Sequence, residues 1–473
     1  MGDRSMKNIR FLAAALLPLF LFITASAKPD AIDRYVERTI KERNIPGAVV
    51  AVLKNGRVVR LKGYGLASVE FGVPVDTKTV FEIGSVTKQI TAGAIMMLVE
   101  DGRVVLDEKI SAYIPNTPAQ WENVTVRHLL NHTSGIPSYT VLGGFELSLR
   151  MTRDDFVGRF NGVKLDFEPG TKYAYNNSGY NLLGYIVEAR SGMSYWKFLE
   201  ERIYKPLGIR LAGDRDPRFV IRNRATGYEF INGTLTGRDG NLTDLFAAGA
   251  VVMSIEDLVK WENSLRNATL LTRESLKEMW TPLRFKDGRE HPYGLGFRLS
   301  PVRGTRLVAH SGQTAGFGTS LSRFIDDDIT VIAITNLGED GMGTMLAMGV
   351  AKFYLPKLSL SKVTAASGED VAITGLARKA VEQRSANAPT EDVFSPSTLR
   401  SISSSRAKER NLRIAGFGPI ESMTYAGSDF SFSFDKVHRY LIRTKNRFFM
   451  WRFAFDENRR VVEMVLEEEE PVR

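Results

Sequence analysis

The chain has 473 residues, 43% of them hydrophobic and 25% charged, with a net charge of +9 and no cysteine. The length exceeds one ordinary domain and the composition is that of a globular protein, while the missing cysteines exclude disulfides, thiol catalysis and Cys-ligated metals. The positive charge is scattered, with no basic run interleaved with aromatics, which argues against nucleic acid and leaves at most a weak association with anionic envelope surfaces.

The first segment reads as a secretory signal. Arg4, Lys7 and Arg10 precede a mostly apolar run over 11–23, and Ala25-Ser26-Ala27 is a small-x-small cleavage site. The run is shorter than the roughly 18–20 residues needed to span a bilayer. No later stretch is apolar enough to span, so the mature chain is expected in the periplasm or outside a bacterial cell. An amphipathic helix over 31–43 follows and Pro46-Gly47 breaks it. β-rich runs over 48–53 and 57–64 are joined by Asn55-Gly56, a strong hairpin signal. Helical patterns and loops dominate from 85 to about 277, and strand signals return over 293–299, 306–310, 318–324 and 329–335 before a helix over 342–354. Strands at both ends with helices between predict an α/β (α+β) fold. One antiparallel sheet would be built from both ends of the domain, flanked by helices, with a helical lobe beside it and a cleft between.

Residues 356–370 are rich in Ser, Ala and Lys and read as a linker. A helical pattern over 371–410 and three or four antiparallel strands over 423–466 then predict a small C-terminal α+β domain. Ser431-Phe432-Ser433-Phe434 alternates strictly, and Asp456-Glu457-Asn458 reads as a turn. The run 467–470 is four glutamates and reads as a solvated acidic tail. The expected division is a signal over 1–27, a main domain over 28–357, a linker over 358–370 and the small domain over 371–473.

Ser85-Val86-Thr87-Lys88 carries the first candidate chemistry. A helix starting at Ser85 places both side chains on one face, a nucleophile with a base one turn away. The pair alone is weak, because Ser-x-x-Lys recurs in the chain, as at Ser194–Lys197, Ser359–Lys362 and Ser405–Lys408 among others. Two single occurrences join it in order: Tyr175-Asn176-Asn177 is the chain's one Tyr-x-Asn and His310-Ser311-Gly312 its one His-x-Gly. Taken singly, Tyr175 reads as a core aromatic, Asn177 as a helix cap and His310 as the end of a strand; the ordered trio favours catalysis. Of the five histidines, His128 and His132 have a zinc-like i, i+4 spacing. They lack a glutamate between them, and Thr133-Ser134-Gly135 ends any helix there, so they read as structural and no metal or cofactor is expected.

With these motifs the chain resembles the serine hydrolases of the class C β-lactamase, DD-peptidase and penicillin-binding type over about 32–354. Phe81-Glu82-Ile83-Gly84-Ser85 is similar to the nucleophile segment of that family. The run from Val126 to Gly135 is similar to its helix-to-loop signature. Phe167-Glu168-Pro169-Gly170 and Gly179-Tyr180-Asn181 frame the Tyr-x-Asn motif, and Tyr293-Gly294-Leu295-Gly296-Phe297 precedes the third. The resemblance implies that Ser85 attacks, that Lys88 or Tyr175 takes its proton, and that Tyr175, drawn toward the phenolate by Lys88, shuttles protons to the leaving group and the deacylating water. It implies that Asn177 binds Lys88 and the acyl amide, that the backbone N–H groups of Ser85 and Gln313 form the oxyanion hole, and that Gly312 lets substrate approach the strand. His310 stands where β-lactamases usually carry Lys, so it would offer a substrate carboxylate a weaker, pH-dependent charge, and efficient penicillin hydrolysis is not expected. Specificity would lie in loops near 137–145 and 215–245. The function expected is an exported serine hydrolase forming an acyl-enzyme on Ser85 with an ester, amide, D-amino-acid peptide or β-lactam. The alternative is a catalytically silent envelope protein that binds muropeptide or a protein partner.

Overall fold

The computed structural model describes residues 30–142, 151–238, 243–339, 341–404, 414–416, 418–430, 434 and 436–471. The signal segment over 1–27, the Ser405–Lys408 pair, Ser431-Phe432-Ser433 and parts of both specificity loops lie outside the described residues.

The main sheet joins the two ends of the first 354 residues. Its six strands run in the order Leu307–Thr314, Phe317–Phe324, Ile329–Thr335, Gly47–Lys54, Arg57–Ser68 and Val73–Pro74. Strand Gly47–Lys54 pairs antiparallel with Ile329–Thr335 from Ala48↔Thr335 to Lys54↔Ile329, closing the sheet across most of the chain. The hairpin between Gly47–Lys54 and Arg57–Ser68 turns at Asn55 and Gly56, whose φ values are +53° and +72°, as a two-residue primed turn demands.

Burial on both faces explains why the central strands are apolar throughout. Val50 and Val52 point into a core with Val36 of helix Ala31–Glu42 and Leu346 and Val350 of helix Met342–Tyr354. Val49, Ala51 and Leu53 point the other way, into a larger core shared with the helical lobe. Two-residue periodicity thus divides one strand between two cores. Leu307–Thr314 lies at the sheet's edge and is bordered by a strand on one side only.

Helix Thr87–Glu100 runs through the lobe with almost every residue from Thr87 to Leu98 buried. Its sequence is apolar all round, the mark of a helix enclosed by protein. Helix Asn177–Ser191 packs beside it. Among the described residues, no helix is long and apolar enough to cross a membrane.

Residues 293–299 form a turn instead of the expected strand. Gly294 N–H bonds back to Phe297 O, and Gly296 holds φ +83°, a left-handed backbone that an extended strand excludes. The third-motif strand is longer than expected, running through His310 to Thr314, so His310 lies within it.

Beyond Tyr354 the chain is anchored by packing. Leu358 joins the core beneath the main sheet, and Leu360 packs with Leu441 and Met450. Helices Val371–Ser385 and Pro396–Ile402 cover a four-stranded antiparallel sheet of Ser422–Asp429, Val437–Arg443, Arg447–Phe455 and Val461–Pro471. The glutamate run is no solvated tail but part of that last strand. Glu467 pairs with Arg439 and Arg452, Glu468 with Arg303 and Lys352, and Glu469 with Arg43 and Arg447. Glu470 binds Ser359 and the Leu360 amide. The partners come from segments far away in sequence, so only folding brings the neutralising charges to the run.

Candidate active site

Ser85 sits in a single 3-10 turn, Gly84–Val86, that leads directly into helix Thr87–Glu100. Its hydroxyl therefore lies at the positive end of a buried helix. Lys88, one turn on, is fully buried. Its Nζ lies 3.2 Å from Ser85 Oγ, 2.8 Å from Asn177 Oδ1 and 2.8 Å from Ala248 O. The ring centres of Tyr175 and Tyr180, at 4.7 and 5.3 Å, complete its surroundings. Desolvation holds the Lys88 ammonium well below its ordinary pKa of 10.5, with no carboxylate at hand to offset it.

That set of partners orients the amine. Asn177 Oδ1 and Ala248 O only accept hydrogen bonds, so both hydrogens of a neutral amine go to them. The remaining lone pair faces Ser85 Oγ, as removal of the Ser85 proton requires.

Asn176 and Asn177 divide the work at the start of the second helix. Asn176 is the cap: its Oδ1 accepts from Gly179 N at 2.6 Å, and its amide donates to Ile136 O. Asn177, the first residue within the helix, is thereby left to reach Lys88. The expectation of Asn177 as the cap is displaced by one residue.

Tyr175 is partly exposed and adjoins Ser85. Burial pushes its phenol pKa up, and its contact with the Ser85 hydroxyl offsets only part of this. Desolvation, the largest effect on Tyr175, works against the phenolate character expected from Lys88. Tyr175 is poised as a proton donor.

The third motif closes the site from the sheet side. Ala309 exchanges both backbone hydrogen bonds with Arg298, on the side of the strand away from Phe317–Phe324. Strand alternation then turns the N–H of Gln313 to that same outer side. Gly312 is required by space: a Cβ there would lie 2.0 Å from Ile83 O and 3.0 Å from Ser85 N. Gly84, at φ +51°, lies as close to Gln313, with a Cβ 2.7 Å from its nitrogen. The strand and the nucleophile turn thus meet backbone to backbone, which brings the backbone of Gln313 beside that of the Gly84–Ser85 turn.

His310 differs from expectation. It is 1% exposed, and burial and the proximity of Lys88 bring its pKa down to about 3. It holds no charge at neutral pH and cannot serve as a cation for a substrate carboxylate. Its Nε2 lies 3.0 Å from Tyr293 Oη and its Nδ1 2.6 Å from Ser311 O. Tyr293 Oη in turn lies 3.2 Å from His132 Nε2, and Asn176 N–H donates to His132 Nδ1 at 3.1 Å. His128 does structural work, capping its own short helix with Thr125.

Two features escape sequence reasoning. Ala248 acts through its carbonyl, which no side-chain motif reveals. Glu82 forms a buried ion pair with Arg215 at 2.7 Å, three residues before the nucleophile, and its carbonyl accepts from Thr319 at 3.4 Å. The aromatic wall beside Tyr175 includes Tyr173, His291 and Phe430, the last contributed by the C-terminal region. The other described Ser-x-x-Lys pairs are ordinary: Lys197 pairs with Glu200 and Glu201, and Lys362 is exposed.

Comparison with known proteins places this geometry. Residues 32–352 match the family model described as Beta-lactamase. The chain is 30% identical over 321 residues to "Penicillin-binding protein 4*" of Bacillus subtilis (strain 168), covering 64% of this chain and 70% of that one. It is 28% identical to "Protein flp" of Staphylococcus aureus (strain MW2) over 69% of this chain, and spans 64% of that protein's length. The structure of D-amino acid amidase from Ochrobactrum anthropi SV3 complexed with L-phenylalanine amide aligns with a TM-score of 0.59 at 26% identity, over 70% of this chain and 100% of that one. The octameric penicillin-binding protein homologue from Pyrococcus abyssi aligns with a TM-score of 0.62 over 90% of this chain and 96% of that one; at 23% identity it shows the fold alone.

Proposed function

This chain belongs to the β-lactamase family, and from that premise we propose that it is an exported serine hydrolase forming an acyl-enzyme on Ser85. The observation that carries the proposal is the Lys88 amine. It is buried, desolvation disfavours its ammonium form, and it lies 3.2 Å from Ser85 Oγ with Asn177 Oδ1 and Ala248 O accepting its hydrogens, so that in its neutral form the lone pair is turned to that oxygen.

In this reading the Lys88 amine takes the Ser85 proton as Oγ attacks the substrate carbonyl carbon. The oxyanion is held by the amides of Ser85 and Gln313 at the head of helix Thr87–Glu100. Tyr175, kept protonated by burial, gives its proton to the departing alcohol or amine as the carbonyl re-forms, and is restored by the proton that Lys88 took from Ser85. Water then attacks the ester on Ser85, giving up a proton as Oγ leaves and regains one. Asn177 orients Lys88 and the acyl chain, and the substrate lies along the outer edge of Leu307–Thr314.

The substrates proposed are esters, amides and D-amino-acid peptides or amides, the last supported by likeness to a D-amino acid amidase. Export rests on the signal-like segment over 1–27. We further propose a main domain over 28–357, a connection over 358–370 and a small α+β domain over 371–473.

The test is a fluorophosphonate probe, followed by a panel of p-nitrophenyl esters, D-aminoacyl anilides and nitrocefin. Labelling of wild type and none of Ser85→Ala is expected, with turnover of esters and anilides exceeding that of nitrocefin. Equal labelling of both proteins, or none of wild type, would refute the catalytic reading and leave the fold as a binding module.

A further inference from the structure

We infer that Tyr293 is a positioning residue: by bridging His132 and His310 it holds the third-motif histidine as an uncharged ring with its proton on Nδ1, so that the cleft selects acyl substrates presenting no carboxylate to His310-Ser311-Gly312. The inference deepens the acyl-transfer reading and its selectivity rests on that reading.

The proton order follows from which atoms can donate. Asn176 N–H donates to His132 Nδ1, so that nitrogen carries a lone pair and the proton of neutral His132 sits on Nε2. His132 Nε2–H then donates to Tyr293 Oη. At the far end Ser311 O is a carbonyl oxygen and can only accept, so His310 Nδ1 bears the proton at 2.6 Å. A neutral His310 then has its lone pair on Nε2 and must accept from Tyr293 Oη–H at 3.0 Å. Both ends dictate one direction, His132 to Tyr293 to His310 to Ser311, and each link is satisfied once. Tyr180 also lies within hydrogen-bond reach of Tyr293; its own hydroxyl donates to Leu130 O at 2.8 Å, and the acceptor that Tyr293 Oη meets at 3.0 Å is His310 Nε2.

Every member is enclosed: Tyr293 is 0%, His132 1% and His310 1% exposed. A second proton on His310 would have to displace the Tyr293 hydrogen from Nε2. It would also place a buried cation facing Arg298. Arg298 is engaged by Asp429 at 3.2 Å, so it does not stand in for the absent charge. Neither His310 nor Arg298 therefore offers a point charge to substrate at the outer edge of the strand, which presents the hydrogen bonds of its backbone. An ionised carboxylate brought there loses its water and gains no ionic partner.

The test uses the full chain. The protein has five histidines, so ring-15N-histidine labelling gives a small set of signals. In wild type at pH 6, His310 is expected as the neutral Nδ1–H tautomer and His132 as the neutral Nε2–H tautomer. An imidazolium signal or an Nε2–H tautomer for His310 would overturn the proposal, and this measurement needs no variant to fold.

Tyr293→Phe supplies the second arm. Rates are compared for a 4-nitrophenyl ester and the 3-carboxy-4-nitrophenyl ester of the same acyl group. Wild type is expected to favour the neutral ester by about tenfold in kcat/KM. At pH 5.5 Tyr293→Phe, which frees His310 Nε2 to take a proton, should shrink that preference about fivefold. An unchanged ratio in a folded variant would overturn the selectivity. Failure of Ser85 to label with fluorophosphonate would instead refute the acyl-transfer reading and the selectivity with it, while the tautomer spectrum decides the proton order independently.

Discussion

Replacing Gly312 with alanine tests how the oxyanion hole is built. The new Cβ would stand 2.0 Å from Ile83 O and 3.0 Å from Ser85 N. A carbon and an oxygen in ordinary contact lie about 3.3 Å or more apart, so the clash amounts to about 1.3 Å. Both sides of it are backbone, and no side chain can rotate to relieve it. The Leu307–Thr314 strand must move away from the nucleophile turn, and the amides of Ser85 and Gln313 separate by a comparable distance. Oxyanion donors work at about 2.7–3.1 Å, and losing one costs about 10²–10³ in kcat. Gly312→Ala should therefore lower kcat on an activated ester by about 10²–10³, with a stability loss of about 1–3 kcal/mol from overpacking. Gly213→Ala is the control, because nothing lies within 4 Å of a Cβ built there. Turnover corrected by fluorophosphonate titration of Ser85, alongside a thermal melt, separates lost catalysis from lost fold. A folded Gly312→Ala variant with kcat within about threefold of wild type would refute the argument that this contact sets the oxyanion geometry.

Lys88 acts as the base only when uncharged, so acylation should rise with pH through a pKa well below 10.5; stopped-flow acylation that keeps climbing toward pH 10 would contradict a desolvated amine. Lys88→Ala should lower acylation by about 10³-fold or more. Tyr175→Phe should slow release of poor leaving groups such as anilides more than 4-nitrophenolate, by about 10²–10⁴, measured as the anilide-to-ester rate ratio. Asp33 is the pH-dependent pin between the first helix and the sheet: Arg60, Lys62 and Tyr64 bind it and outweigh its desolvation, bringing it from 3.8 to about 2. Its folded pKa is lowered, so its contribution of about 2 kcal/mol is present above pH 4 and lost as pH falls toward 2. Asp33→Asn should lower the urea-unfolding free energy by that amount at pH 7, and the gap to wild type should close below pH 3.

Much of the site was legible because it is local. Ser85 and Lys88 lie one helical turn apart, Asn176 caps the helix that presents Asn177, and Asn55-Gly56 specifies a primed turn whatever surrounds it. The two-ended sheet was legible for a related reason: buried strands are apolar throughout, and strand signals at both ends of a helical region leave few ways to pair. Residues 293–299 misled because aromatic and apolar residues suit a buried turn as well as a strand, and Gly296 acquires its meaning only against Lys88 O, 3.0 Å from where a Cβ would stand. The four glutamates misled because charge in a run looks solvated until Arg43, Arg303, Lys352 and Arg439 arrive from elsewhere.

The sequence by itself determined the proposed reaction machinery, since a candidate nucleophile, base and proton carrier are side-chain identities in a fixed order. Their charge states were decided by the tertiary structure alone. Burial disfavours the Lys88 ammonium, keeps Tyr175 protonated and leaves His310 neutral, removing the charge expected at the third motif. Spacing cannot reveal this, because the free energy of a charge depends on the water removed from around it and on the partners brought to it, and both are set by parts of the chain distant in sequence.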